Sequence, residues 1–186
     1  MELKEAIKKR ASIRKFSDKK PNIEDITRAI EYANLAPSPG NLSIIKYLIV
    51  EDEKKIEKIS EICQQEFIKQ SKMLLVICSE DKRPEIMYDK RAKKYIKQHA
   101  GAVIEHLLLY FTSIGLASCW VGAYTDDLLK DLLKIPPEID IEAVLPIGYQ
   151  HKVDKTKQRT KPILVERIFF DEYKNKWKKP FRSAVD

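Results

Sequence analysis

The sequence predicts a single α+β domain in which strands and helices alternate along the chain, and three observations carry that prediction. Short apolar runs at 47–50, 73–78 and 141–148 are separated by longer stretches whose apolar residues recur every three to four positions. At 186 residues the chain is long enough to bury a core, and it contains no internal repeat, low-complexity segment or linker. The stretch 100–124, AGAVIEHLLLYFTSIGLASCWVGAY, is apolar at almost every position, which marks a helix buried on most sides and a candidate dimer core. Glu105 and His106 interrupt it, and its longest apolar run falls well short of the roughly 20 residues a membrane span needs.

The elements follow in order. Leu3, Ala6 and Ile7 put an apolar stripe on a first helix ending near Lys9. Asn22 caps a second helix, with Asp25 near its third position and Ile23, Ile26, Ala29, Ile30 and Ala33 as its buried face. The run APSPGN at 36–41 stops that helix, because a residue preceding proline is pushed out of the α region. Its backbone groups must find partners, as a connecting turn or as a ligand-contacting loop. Ile56, Ile59, Ile62, Cys63 and Phe67 mark a third helix, and 80–98 reads as a charged surface loop and helix capping the molecule. The central helix runs from Gly101 to Ser113, where Gly115 supplies a left-handed cap, and a short extended piece follows at 119–122. Thr125 starts a short helix through Leu133 before Pro136 and Pro137. Pro146 in the 141–148 strand suggests an edge or a strand end. Residues 152–161 form a basic loop, 165–170 are strand-like, and the tail carries Trp177 and Phe181 for docking, on a partner if not on its own chain.

Composition narrows the function. A hydrophobic fraction of 44% beside 34% charged residues describes a soluble protein with a dense ionic surface. The net charge of +7 favours anionic ligands, but the basic residues are scattered among acids and match no nucleic-acid-binding motif. Cys63, Cys78 and Cys119 are odd in number and set in apolar surroundings, which fits reduced core thiols in the cytoplasm. The opening residues Met1 to Lys4 begin an amphipathic helix and not a signal peptide.

Several chemistries are absent from the sequence. It holds no G-x-G-x-x-G after a strand, no Walker A motif and no G-x-S-x-G elbow. His99, His106 and His151 lack metal-ligand spacing, and His106 reads as a satisfied core residue. What remains is the segment Arg10-Ala11-Ser12-Ile13-Arg14-Lys15-Phe16. In an extended chain its alternation sends Arg10, Ser12 and Arg14 to one side and Ile13 inward. Two guanidiniums and a hydroxyl on one edge suit a phosphate, and equally a solvated basic turn. With few candidates for a nucleophile or general base, the pattern suits a protein whose cofactor performs the chemistry.

Four motifs, in this order and spacing, carry a resemblance to a known family: R-A-S-I-R-K-F at 10–16, A-P-S-P-G-N at 36–41, G-L-A-S-C-W-V-G at 115–122 and P-I-G-Y at 146–149, followed by Lys161-Pro162. Together they resemble the FMN-dependent nitroreductases over nearly the whole chain, with least support between 69 and 98. The resemblance implies a mixed central sheet flanked by helices and a homodimer with FMN at the subunit interface. It implies phosphate and ribityl contacts from Arg10 and Ser12, with backbone from Ala11, and a cation near the flavin pyrimidine edge from Arg14. Pro37, Ser38, Pro39 and Asn41 resemble a loop reaching the flavin from the other subunit. Val121, Gly122 and Ala123 resemble the segment facing flavin N5, and Gln64 falls near a polar contact to the ring. Arg159 is favoured over Lys161 for the phosphate, with Lys157 as an accessory. The family's N-x-Q-P-W continuation is replaced by Asn41-Leu42-Ser43-Ile44-Ile45, which alters the packing beside the flavin.

The implied activity passes hydride from NADH or NADPH through FMN to a nitroaromatic, quinone or similar acceptor in a ping-pong scheme. No nucleic acid, membrane or metal takes part. A same-fold flavoenzyme of other chemistry, such as reductive dehalogenation, and a flavin-binding redox sensor without turnover are the alternatives. In that frame 80–98 is a lid, and 163–186 is an arm docking on the partner.

Overall fold

A strand buried on both faces anchors the sheet. β2 (Met73–Glu80) begins MLLVIC, and alternation sends Met73, Leu75 and Ile77 into one apolar cluster and Leu74, Val76 and Cys78 into another. β1 (Ile45–Val50) and β4 (Ile139–Gly148) pair antiparallel on its two sides. The two-residue β3 (Ala117–Ser118) lies outside β4, giving the order β1-β2-β4-β3. The computed structural model describes residues 1–80, 82–152, 163 and 166–176.

Helices cover both faces. α2 (Ile23–Ala33) and α5 (Ala92–Ser113) supply the first cluster, while α3 (Glu53–Ile62) and α6 (Asp126–Leu133) supply the second. α1 (Leu3–Lys9) and α4 (Lys82–Tyr88) pack on α5. Fully buried side chains such as Ile26, Leu107, Phe111 and Leu129 each contribute about 1.5–3 kcal/mol of burial. The cap signals act as expected: Asn22 Oδ1 accepts from Glu24 N at 3.1 Å, and Gly115 takes φ +82° after α5. Cys63, Cys78 and Cys119 are buried and unpaired. Among the described residues, no helix is long and apolar enough to cross a membrane.

The structure corrects several expectations. α5 begins at Ala92 and not at Gly101, absorbing a charged stretch expected to be a separate cap. It is buried along one stripe, and Gln98, Glu105 and His106 are exposed beside half-buried Ala102 and Leu109. His106 is therefore a surface residue; the buried histidine is His99, 6% exposed. Leu3 and Ile7 stand open to solvent, and only Ala6 of the expected α1 stripe is buried. α3 stops at Ile62, leaving Phe67 in a separate 3-10 turn at Glu66–Gln70. Lys134, in the left-handed region at φ 55°, ends α6 before the prolines are reached.

β4 is interior, so Pro146 does not mark an edge. Val144 N points toward β3, donating to Val121 O at 2.9 Å, and two residues on Pro146 faces the same way. That is where β3 breaks between Ser118 and Val121, so the missing proline donor has no ladder bond to lose. The pairing of the four strands is antiparallel throughout, and the parallel component is a single bridge, Ser12 with Ser118.

The chain divides into two compact units, Met1–Asp154 and Lys155–Asp186. In the second, Glu166 and Arg167 lie in a turn and Phe169 makes one bridge to Lys176, so the described part of the expected 165–170 strand is not a strand. Lys157, Arg159, Thr160, Lys161, Pro162, Trp177 and Phe181 lie outside the described residues.

Candidate functional site

The basic segment 10–17 leaves α1 and runs as a strap along the outer sheet edge. Ile13 N donates to Ser118 O at 3.0 Å, Ser17 N to Tyr149 O at 2.8 Å, and His151 N to Lys15 O at 2.9 Å. Ile13 and Phe16 are buried while Ser12, Arg14 and Lys15 are exposed, so the expected inward turn of Ile13 occurs. Phe16 lies so close to Gly148 that a Cβ there would fall 2.9 Å from Phe16 Cδ1. Gly148 thus lets the strap close onto β4.

Arg10, Ser12 and Arg14 converge on Cys119. Burial pushes the Cys119 thiol up from its ordinary value, while the Arg14 charge, a hydrogen bond with Ser12 and the Arg10 charge pull the other way. Arg10 Nε lies 3.9 Å from Glu105 Oε1 on α5, a long contact that leaves most of its guanidinium donors uncommitted among the described residues. The Arg14 guanidinium sits 5.8 Å from the Phe67 ring centroid. Lys15 turns elsewhere, lining a separate hollow of about 310 Å³ with Phe16, Gln70 and His151. Ala11 is half-buried within the strap.

Beyond β3, Val121 is held by reciprocal hydrogen bonds with Val144 at 3.0 and 2.9 Å, after which Gly122 and Ala123 emerge exposed. A Cβ on Gly122 would have nothing closer than Trp120 Nε1 at 4.0 Å, so the backbone there is open to approach. Gln64 is exposed in the left-handed region at φ 52° just past α3. Gln70, which the sequence does not single out, reaches the strap instead, its Oε1 accepting from Phe16 N at 3.4 Å.

The 37–41 loop belongs to a different part of the surface. The imidazole Nδ1 of His99 lies 2.8 Å from Pro37 O. A carbonyl only accepts, so Nδ1 carries the proton and donates. Burial lowers the His99 pKa, partly opposed by that hydrogen bond, so the ring is neutral near pH 7. On the far side of the loop, a Cβ on Gly40 would come within 2.8 Å of Tyr88 Oη and 3.1 Å of Met87 Cε. Gly40 and Asn41 both have left-handed φ, 58° and 57°, which the turn requires. Pro37, Pro39, Tyr88, Tyr95, His99 and Ala102 line a cleft of about 430 Å³. The sequence places Tyr88 and Tyr95 only as apolar positions of the 80–98 segment and His99 only as a histidine without metal-ligand spacing, and no local pattern brings the three together beside Pro37.

α5 relates the two regions. The strap meets it at Glu105 and the loop at His99, and a helix turns about 100° per residue. Between these contacts runs the open stripe of Gln98, Ala102, Glu105 and Leu109, spaced by four, three and four residues. Strap and loop therefore border one uncovered helix face. No group of three or more metal-ligating side chains occurs among the described residues.

Comparison with known proteins agrees with this architecture. The chain is 31% identical over 145 residues to an Archaeoglobus fulgidus protein whose name describes an NADH dehydrogenase/NAD(P)H nitroreductase, covering 75% of this chain and 80% of that one. It is 28% identical over 171 residues to an iodotyrosine deiodinase of Thermotoga neapolitana, covering 76% and 85%. The crystal structure of an iodotyrosine deiodinase bound to FMN and 3-iodo-L-tyrosine matches with a TM-score of 0.77 at 25% identity, covering 90% of this chain and all of that one. The model of the nitroreductase family matches residues 7–82 and 63–149, which span the strap, the loop, the sheet and the open stripe of α5; the chain belongs to the nitroreductase family.

Proposed function

We propose that the chain is an FMN oxidoreductase that takes hydride from NADH or NADPH and reduces a nitroaromatic, quinone or similar small acceptor by a ping-pong scheme. The observation that carries this reading is the convergence of Arg10, Ser12 and Arg14 on one sheet edge beside the exposed Gly122 and Ala123 backbone. The donor set fits an anionic cofactor: two permanent cations and a hydroxyl, with one long carboxylate contact among them. Arg10 and Ser12 would hold the phosphate and ribityl chain, joined by Arg159 from outside the described residues and by Ala11 through its backbone. Arg14 would place a fixed cation by the ring, and Val121, Gly122 and Ala123 would present backbone to it, with Gln64 as a further polar contact. FMN, when bound, supplies the two-electron relay between donor and acceptor.

Pro37, Ser38, Pro39 and Asn41 would complete the site from a second copy. Strap and loop border the same stripe of α5, so a copy packed on that stripe touches both, and a homodimer covers Leu109. The 80–98 segment would act as the lid and 163–186 as an arm on the partner. Three unpaired buried thiols support a reducing, cytoplasmic compartment. A second reading, reductive dehalogenation, draws on the deiodinase relative and the deiodinase structure.

Purified protein supplied with FMN is the test. A retained flavin spectrum together with NADH or NADPH oxidation coupled to nitroaromatic reduction is expected. Release of iodide from 3-iodo-L-tyrosine without nitroaromatic reduction would move the assignment to the second reading. A protein that retains no flavin overturns both.

A further inference from the structure

His99 is unusual in what surrounds it. Among the described residues, the buried polar side chains are four serines and this one imidazole. Nδ1–H is committed to the Pro37 carbonyl at 2.8 Å. In that tautomer Nε2 carries a lone pair and no proton, so it can only accept. Nε2 has no protein partner among the described residues, yet no described buried side-chain nitrogen or oxygen is enclosed without one. Since His99 lines the cleft beside the 37–41 loop, Nε2 opens into that cleft.

The rest of the lining is largely apolar: Pro37, Pro39 and Ala102 contribute to it beside the polar Ser38 and Gln98, and the Tyr88 and Tyr95 rings meet edge to face, their centroids 5.2 Å apart. About 430 Å³ bounded in this way suits one small ring system. A nitro, quinone or carboxylate oxygen turned toward Nε2 would set acceptor against acceptor. A hydroxyl or amide N–H turned toward it would be matched.

Resting on the FMN reading above, we propose that His99 is a positioning residue for the 37–41 loop through Nδ1, and that its Nε2 is an acceptor in the cleft for a planar aromatic ligand bearing a hydrogen-bond donor. The two roles belong to one ring: the bond that fixes the loop also fixes the tautomer that reads the ligand.

The test uses 4-nitrobenzyl alcohol and 4-nitrobenzyl methyl ether, which are neutral and differ in one donor. Binding of each is measured by equilibrium dialysis with and without FMN, for wild type, His99→Asn and His99→Phe, and FMN affinity is measured alongside. Asparagine keeps an amide donor near the Nδ1 position and places nothing at Nε2; phenylalanine keeps the ring and removes both groups. Wild type should favour the alcohol about five- to tenfold, the worth of one hydrogen bond. His99→Asn should lose that preference and retain FMN affinity. His99→Phe should lose the preference and bind FMN about tenfold more weakly. Equal binding of alcohol and ether by wild type overturns the acceptor role. Equal FMN loss in both variants overturns the positioning role, assigning the ring to packing alone. A wild-type chain that binds no FMN overturns the functional reading and the positioning role together, while the ratio measured without FMN still decides the acceptor role.

Discussion

The strap at 10–17 and the loop at 37–41 both border α5, but different kinds of force hold them in place. The strap is an extended segment added to a sheet edge: its backbone pairs with β3 and with the residues just past β4, and Ile13 and Phe16 bury their side chains. Its alternation is written within its own eight residues, and a glycine, Gly148, lets Phe16 in. The loop has no ladder. It is held by single contacts from elements 48 to 62 residues away, Tyr88 over Gly40 and His99 on Pro37. Local pattern specifies the first region and tertiary packing the second, and the two should respond differently to mutation.

Gly148→Val should produce the largest effect. Valine would drive its side chain into Phe16, where a Cβ alone already comes within 2.9 Å. Overpacking of this kind destabilises by about 1–3 kcal/mol. The strap should lift while the 37–41 loop stays, so urea melts should shift, and hydrogen exchange should rise at Ile13 and Ser17 but not at Asn41 or Leu42. Equal exchange in both regions would mean that the two are one cooperative unit.

Arg10→Ala should come next. Arg10 acts at the Cys119 edge whereas Lys15 lines a separate hollow, so removing Arg10 should weaken FMN binding about tenfold or more and Lys15→Ala much less. Fluorescence titration distinguishes the two, and equal losses would leave only generic basicity.

The smallest effect is a pH dependence confined to the loop. Burial holds the His99 pKa below its ordinary value near 6.5, so the unfolded chain takes up the proton first. Stability from this group is full above about pH 6.5 and is lost as pH falls through the lower folded value. The other titratable or charged groups on this side of the cleft are Tyr88, Tyr95 and Arg91, whose Nη1 lies 3.5 Å from Tyr95 Oη. Wild type should therefore lose stability more steeply than His99→Asn on acidification below pH 6.5. Parallel curves would remove His99 from the account.

The same contrast explains what the sequence could disclose. Helix caps, the buried strand 73–78 and the alternation of 10–16 are local patterns with a physical period, and the folded chain follows them. Pro146 misled because its meaning depends on a break in β3 more than 25 residues earlier, which no local pattern reports. His106 looked like core and His99 looked unremarkable because α5 starts nine residues earlier than the apolar pattern suggested, and the helix phase decides which histidine turns inward. Leu3 and Ile7 follow a helical stripe that this chain alone does not cover.

The most direct measurement of the central claim, one site built from the strap of one copy and the loop of another, is complementation between two defective chains. Arg10→Ala and His99→Phe chains are coexpressed with different tags, and the mixed dimer is isolated and titrated with FMN. If strap and loop meet across copies, one site in the mixed dimer carries both defects and the other carries neither. One FMN per mixed dimer should then bind with wild-type affinity, although each variant alone binds weakly. Two equally weakened sites in the mixed dimer would contradict the claim, because strap and loop would then serve the same site within a single chain.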